Sequence, residues 1–283
     1  MIGYVRKASF FFVLCLLLTS CNNNKEQATA RFEQAKRFAQ EMEYNAARLQ
    51  LDSIKLLYPH EISVLKESQL LTWEIEKKEL ERSLAYLDSL LTFSSKEAEL
   101  LKEKLLFEKN EVYQTIGIYM NKNQTLEKTQ GISYLRFYVN EKGVMTMMAV
   151  ASGHGKGTFS SVRAETSTGI YAETPVISKS DSNNFTGEVS QTLTFTKGKD
   201  NEFIEFLYLY KNKPLKILYL GGSKAYSFSF SKADVNALQE IYDLSNALSV
   251  INQSINEMKL IQAKLSFVNQ AIEKSKANIN ASP

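Results

Sequence analysis

Apolar positions follow three different rhythms along this chain, and each predicts a different kind of element. An unbroken apolar run rich in Phe and Leu, Phe10 to Ser20, stands behind Arg6-Lys7 and ends at Leu18-Thr19-Ser20-Cys21. It covers about 11 residues where a bilayer span needs roughly 20, so it reads as a removable export signal. From Ala28 to Tyr58 the spacing becomes helical. Phe32, Ala35, Phe38 and Ala39 share one face, Glu41 to Asn45 is a polar break, and Ala46, Ala47, Leu51 and Ile54 form the next face, stopped by Pro59. A longer helix is expected from Ile62 to Leu91, with Leu80, Leu84, Leu87 and Leu91 in heptad spacing. Thr92-Phe93 is expected to interrupt it, because Ser94-Ser95-Lys96-Glu97 has the form of a capping box. A further helix would carry Leu100, Leu101, Leu105, Leu106 and Val112.

After Gly131 the period falls to two. Leu135, Phe137 and Val139 alternate with polar neighbours, and Asn140-Glu141-Lys142-Gly143 turns the chain into a second strand, Val144 to Ala151. Further strands are expected at 158–164, 169–174, 188–196, 203–210, 215–220 and 226–230, with Phe203 to Tyr210 central because it is apolar on both faces. Ser231-Lys232-Ala233-Asp234 caps a last helix with the seam Leu248, Ile251, Ile255, Met258, Ile261, Leu265, Val268 and Ile272. The expected fold is α+β. An N-terminal helical hairpin and long helices precede an antiparallel sandwich or open barrel of about eight strands. The long C-terminal helix packs back as an antiparallel coiled coil on the stretch Leu80 to Val112. The expected division is a signal peptide over 1–20, a polar tether over 21–27, a helical stalk over 28–130, a β-rich head over 131–231, a coiled-coil helix over 232–275 and a disordered tail over 276–283.

Composition narrows the chemistry. Without Arg6 and Lys7 the 34 basic residues nearly balance 31 acidic ones, which argues against nucleic acid as a partner. Cys15 leaves with the signal and Cys21 would carry lipid, so no thiol remains for a disulfide, a thiolate metal site or a nucleophile. Two histidines, His60 and His154, are too few for a histidine metal centre, and no cofactor is expected.

Gly153-His154-Gly155-Lys156-Gly157-Thr158 is the segment most suggestive of binding, with His154 and Lys156 as its candidates. The spacing of a P-loop is missing, and a turn between strands is the simpler reading. His154 with Ser152, Ser160 or Ser161 and Asp181 could compose a hydrolytic triad, but no nucleophile-elbow sequence supports one. Glu165, Glu173, Glu188, Asp200, Glu202 and Glu205 could supply a glycosidase pair, which only their separation would decide. Trp73 is the sole tryptophan and sits in a helical stretch.

Three resemblances follow from particular residues. Leu18-Thr19-Ser20-Cys21 resembles a lipobox, which implies acylation of Cys21. Ala35, Phe38, Ala47, Leu51 and Tyr58-Pro59 resemble one tetratricopeptide-type hairpin. More broadly, Ala46-Ala47-Arg48-Leu49, Leu51-Asp52-Ser53-Ile54, Leu84-Ala85-Tyr86-Leu87-Asp88-Ser89, Ser133-Tyr134-Leu135-Arg136, Ala172-Glu173-Thr174-Pro175 and Ser231-Lys232-Ala233-Asp234 make the chain similar to an uncharacterised family of envelope lipoproteins of Gram-negative bacteria. Lipobox and resemblance together imply an outer-membrane protein attached through its N-terminal lipid; the tether offers one acid, Glu26, a weak surface-export signal, so the periplasmic face is expected, with an envelope protein as partner. It implies no catalytic residue. The expected function is non-enzymatic binding or scaffolding. The alternatives are a hydrolase with its site near His154 and an adaptor subunit of an envelope transport assembly.

Overall fold

The computed structural model describes residues 20–110, 112, 115–125, 131–152, 159–222 and 226–281. The expected export signal and the turn holding His154 and Lys156 lie outside them. Among the described residues are five helices and ten strands in two antiparallel sheets, an α+β fold. The helices are α1 (Ser20–Gln40), α2 (Tyr44–Leu57), α3 (Ile62–Lys102), α4 (Phe203–Leu209) and α5 (Lys232–Asn280). The chain divides into two units, one of residues up to Leu87 together with those from Glu257 onward, the other Asp88–Asn256.

In the first unit, small residues let helices approach closely. Ala28, Phe32 and Ala35 of α1 pack with Ala47, Leu51 and Ile54 of α2 and with Val64 and Ile75 of α3. The polar break between α1 and α2 is a tight turn, in which Met42 adopts φ 62° and Glu43 N–H donates to Phe38 O at 2.8 Å. This six-to-one bond closes a helix end in the usual way, with methionine where glycine is commoner. Tyr58 Oη donates to Gln27 Oε1 at 2.9 Å and Arg31 to Gln50 Oε1 at 3.0 Å, tying the hairpin shut. Residues 21–27, expected as a tether, belong to α1, and α5 continues to Asn280 through much of the expected tail. Trp73 meets Phe267 edge-on with ring centroids 5.9 Å apart, and Lys264 pairs with Glu76 at 2.8 Å.

Helix α3 does not break at Thr92-Phe93. The heptad seam passes through Ser94 (4% exposed) and Ala98, both small and buried, while Phe93 is 67% exposed. Ser94 is thus an interior seam residue and not a cap, so the expected break and restart are corrected.

In the second unit the six-stranded sheet runs β1 (Leu106–Glu108), β2 (Ile118–Met120), β3 (Tyr134–Asn140), β4 (Met145–Ser152), β8 (Ser190–Thr196), β7 (Asn184–Thr186). The four-stranded sheet runs β10 (Tyr226–Ser229), β9 (Leu215–Leu220), β5 (Ser161–Thr166), β6 (Tyr171–Glu173). Among the described residues the strands close no barrel. Two strands precede Gly131, and Leu106, expected to be helical, opens β1.

Alternation sets the faces. In β8, Gln191, Leu193 and Phe195 are buried while Thr192, Thr194 and Thr196 are half-exposed. Leu135, Phe137, Met147 and Leu193 of the larger sheet share one core with Val162, Ala164 and Ile217 of the smaller, and with Leu238, Ile241 and Leu244 of α5. Tyr219 Oη, buried on β9, donates within reach of Tyr134 O (2.8 Å) and Val150 O (3.1 Å) of the other sheet. Burial raises its pKa well above the usual tyrosine value. The β3–β4 turn is held by Asn140 Oδ1, which accepts Lys142 and Val144 N–H groups at 3.0 Å. At its tip Gly143 (φ +80°) lies so close to α5 that an added Cβ would stand 2.7 Å from Ser249 N. Ser245 Oγ donates to Gly143 O at 2.7 Å, so this glycine serves both the turn and the helix contact. Ser231 and Asp234 cap α5 reciprocally, Ser231 N–H donating to Asp234 Oδ2 at 2.9 Å and Asp234 N–H to Ser231 Oγ at 3.2 Å.

The expected central strand Phe203–Tyr210 is a helix, α4. Phe203, Ile204 and Leu207 are its buried residues, at the spacing of one helical face. Asp200, 1% exposed, dictates this: its carboxylate accepts Gly198 N–H at 2.9 Å and Ile204 N–H at 2.7 Å, which starts a helical turn.

Candidate functional site: a tyrosine-lined cleft at α4 and α5

The site begins with that start signal. Between Asp200 and α4, Asn201 (φ 54°) and Glu202 (φ 58°) are consecutive non-glycine residues in the left-handed region, a costly arrangement that surrounding structure must maintain. With its core face buried, α4 turns Glu205, Phe206 and Tyr208 partly, and Leu209 fully, toward the outside. These residues, with Ala172, Asn201, Glu202 and Tyr242, line a cleft of ≈ 450 Å³, within the range of small-molecule sites.

Helix α5 contributes the other wall. Tyr208 and Tyr242 stack with ring centroids 3.8 Å apart and 15° between planes. Tyr208 Oη donates to Asp243 Oδ1 at 2.9 Å, and Tyr242 Oη donates to the Glu205 carboxylate. Lys197 Nζ lies 3.3 Å from Glu205 Oε1, donates to Asn246 Oδ1 at 3.2 Å, and stands 3.9 Å from the Tyr242 ring centre. Lys211 Nζ stands 3.4 Å from the centre of Tyr208. Each ring of the pair thus carries an ammonium group, a favourable cation–π arrangement.

Burial, then the hydrogen bond to Glu205 and its charge, push the Tyr242 phenol up to about 12. Near neutral pH it is a fixed hydrogen-bond donor and not a nucleophile. The cleft combines aromatic wall, exposed leucine, carboxylates and an amide, an assembly suited to holding a ligand.

The other candidates sit elsewhere. Cys21 falls in the first turn of α1. His60 is exposed in the turn between α2 and α3, where its carbonyl accepts Ile62 N–H. Of the triad candidates, Ser161 Oγ donates to Glu173 Oε1 at 3.0 Å, and Asp181 is exposed and occupied by the Asn183 N–H at 2.8 Å. Of the six acids, Asp200 holds the Ile204 N–H from ahead of the Glu202 N-cap, Glu173 is held by Arg163, and only Glu202 and Glu205 meet in the cleft. Sequence reasoning did not find Tyr208 or Tyr242; the only trace was an aromatic-rich run ending in Tyr208 and Tyr210.

In the first unit a second cleft, ≈ 480 Å³, has Leu71, Ile75 and Ile272 in its floor and Lys36, Lys77, Lys78 and Lys276 at its rim. These lysines pair with glutamates of their own helices at 3.0 to 3.9 Å, which reads as a solvated rim. Among the described residues no three His, Cys, Asp or Glu side chains gather as metal ligands, and no helix is long and apolar enough to cross a membrane. Compared with known protein families, curated proteins and solved structures, the chain matches none.

Proposed function

We propose that this chain is a lipid-anchored envelope protein of non-enzymatic binding or scaffolding type, attached to the outer membrane through Cys21 and facing the periplasm. It belongs, on this reading, to the lipoprotein family it resembles. The attachment rests on the sequence: the basic pair, the short apolar run and the lipobox-like Leu18-Thr19-Ser20-Cys21. The binding role rests on one structural observation, the Tyr208–Tyr242 stack locked by Glu205, Asp243 and Lys197 beside two left-handed residues. A donor and acceptor array fixed in advance of any ligand lowers the ordering cost of binding.

In this reading the two sheets form a sandwich head, and the C-terminal helix returns along α3 as an antiparallel coiled coil. The latter is supported by the order of contacts: Lys66 with Asn278, Trp73 with Phe267 and Glu76 with Lys264, one helix rising in number as the other falls. Replacement of Cys21 by serine tests the anchor. The variant is expected to lose incorporation of labelled fatty acid and to leave the membrane fraction once its signal is removed. Retention of a processed Cys21→Ser chain in the membrane, as firmly as the original, would defeat the proposal.

A further inference from the structure

Strand β3 sends Leu135, Phe137 and Val139 into the core, so Tyr134, Arg136 and Tyr138 stand on the opposite face of the six-stranded sheet. Cross-strand register extends that face. Arg136 lies opposite Met148, and Met148 opposite Thr194; Tyr138 lies opposite Thr146, and Thr146 opposite Thr196. Arg136 is nevertheless only 9% exposed. Its Nε and Nη2 are shielded from solvent and have no hydrogen-bond acceptor among the described residues. The Tyr134 ring centre stands 5.7 Å from its guanidinium carbon, which favours the charge but leaves those two N–H groups unmatched.

A guanidinium keeps its charge in a protein, and a buried charge with unmatched donors is strongly unfavourable. Nε and Nη2 form one side edge of the group, and Arg163 shows what that edge takes in this same protein. Its Nε and Nη2 both donate to Glu173 Oε2, at 3.0 and 2.9 Å. Around Arg136 the register neighbours on the face offer the hydroxyls of Tyr138, Thr146, Thr194 and Thr196, and none of them is an acid. Burial raises the pKa of Tyr138, which lies opposite Thr146, so it stays a neutral phenol.

We infer that the Nε–Nη2 edge of Arg136 is an oxyanion subsite, taking a carboxylate or phosphate group of a ligand through hydrogen bonds from both N–H groups. The ligand class is a small organic acid or phosphate ester.

The test uses the full-length protein in detergent, with inorganic phosphate and acetate as separate probes against chloride at matched ionic strength. The readouts are melting temperature and, for phosphate, the ³¹P line width. Phosphate or acetate is expected to raise the melting temperature saturably beyond chloride. Arg136→Lys keeps the charge but lacks the planar edge, and is expected to weaken half-saturation by roughly tenfold. No difference between the oxyanions and chloride in the unaltered protein would overturn the inference without need of any variant. Glu111 and Glu127 lie outside the described residues. A response that appears only in Glu111→Gln or Glu127→Gln would give the edge to a carboxylate of the chain itself, and would overturn the inference equally.

Discussion

Tyr242 joins more of the candidate cleft than any other single side chain, since it stacks on Tyr208, donates to Glu205 and lies beneath Lys197. Its proton is therefore a usable probe of the site. The folded protein keeps that proton up to about 12, whereas an unfolded tyrosine releases it near pH 10. Between those values the folded state binds more protons, so stability is intact below pH 10 and declines as pH rises toward 12. Tyr242→Phe is expected to cost about 0.5–1.5 kcal/mol at pH 7 through the lost hydrogen bond, and to flatten the decline above pH 10. Urea midpoints at pH 7, 10 and 11 measure both effects; Tyr219, also raised, leaves the variant some residual slope. An unchanged slope in Tyr242→Phe would mean the phenol is not held as described. None of this was legible in the sequence, because Tyr242 and Glu205 are 37 residues apart and meet only through the fold. Asp200 is visible in the sequence as an acid, yet its hold on the Gly198 and Ile204 N–H groups follows from burial that no spacing reveals.

At the scale of elements, reading went wrong where residue size or segment length hid the period. Phe203–Leu209 is apolar enough to suit a strand or a helix, and the buried Asp200 carboxylate on Ile204 N–H plus two left-handed residues decided for the helix. Strands β1, β2 and β7 have three residues each, too few for alternation to register. The longer strands from Tyr134 onward, the β3–β4 turn and the α5 cap were legible because alternation or a capping box marked them over several residues. In α3 the seam Leu87, Leu91, Ser94, Ala98, Leu101 keeps heptad spacing while two of its members are small. A reader following large apolar residues is drawn to Phe93, which faces water. Opposite responses are expected from this neighbouring pair. Ser94→Leu overpacks a buried position and should cost about 1–3 kcal/mol. Phe93→Ser removes an exposed ring and should change stability by no more than about 0.5 kcal/mol. Chemical denaturation of the two variants checks this, and a tolerated Ser94→Leu would contradict burial of the seam.

At the scale of the whole molecule, the helical unit is discontinuous in sequence, built from residues up to Leu87 and from Glu257 onward. A Glu76→Cys, Lys264→Cys double variant, joined by a short bifunctional reagent, is expected to cross-link within one chain at every dilution. Products only between chains would show that the C-terminal segment serves a second copy. The same arrangement imposes an order of events on a chain made from its N-terminus. Residues 88–256 must be synthesised between the two halves of that unit, which at roughly 5–20 residues per second takes about ten to thirty seconds. For that interval Trp73 waits without Phe267, and the nascent helices present an uncovered apolar flank to whatever chaperone or protease they meet. A premature stop between residues 256 and 267 would leave that flank uncovered for good.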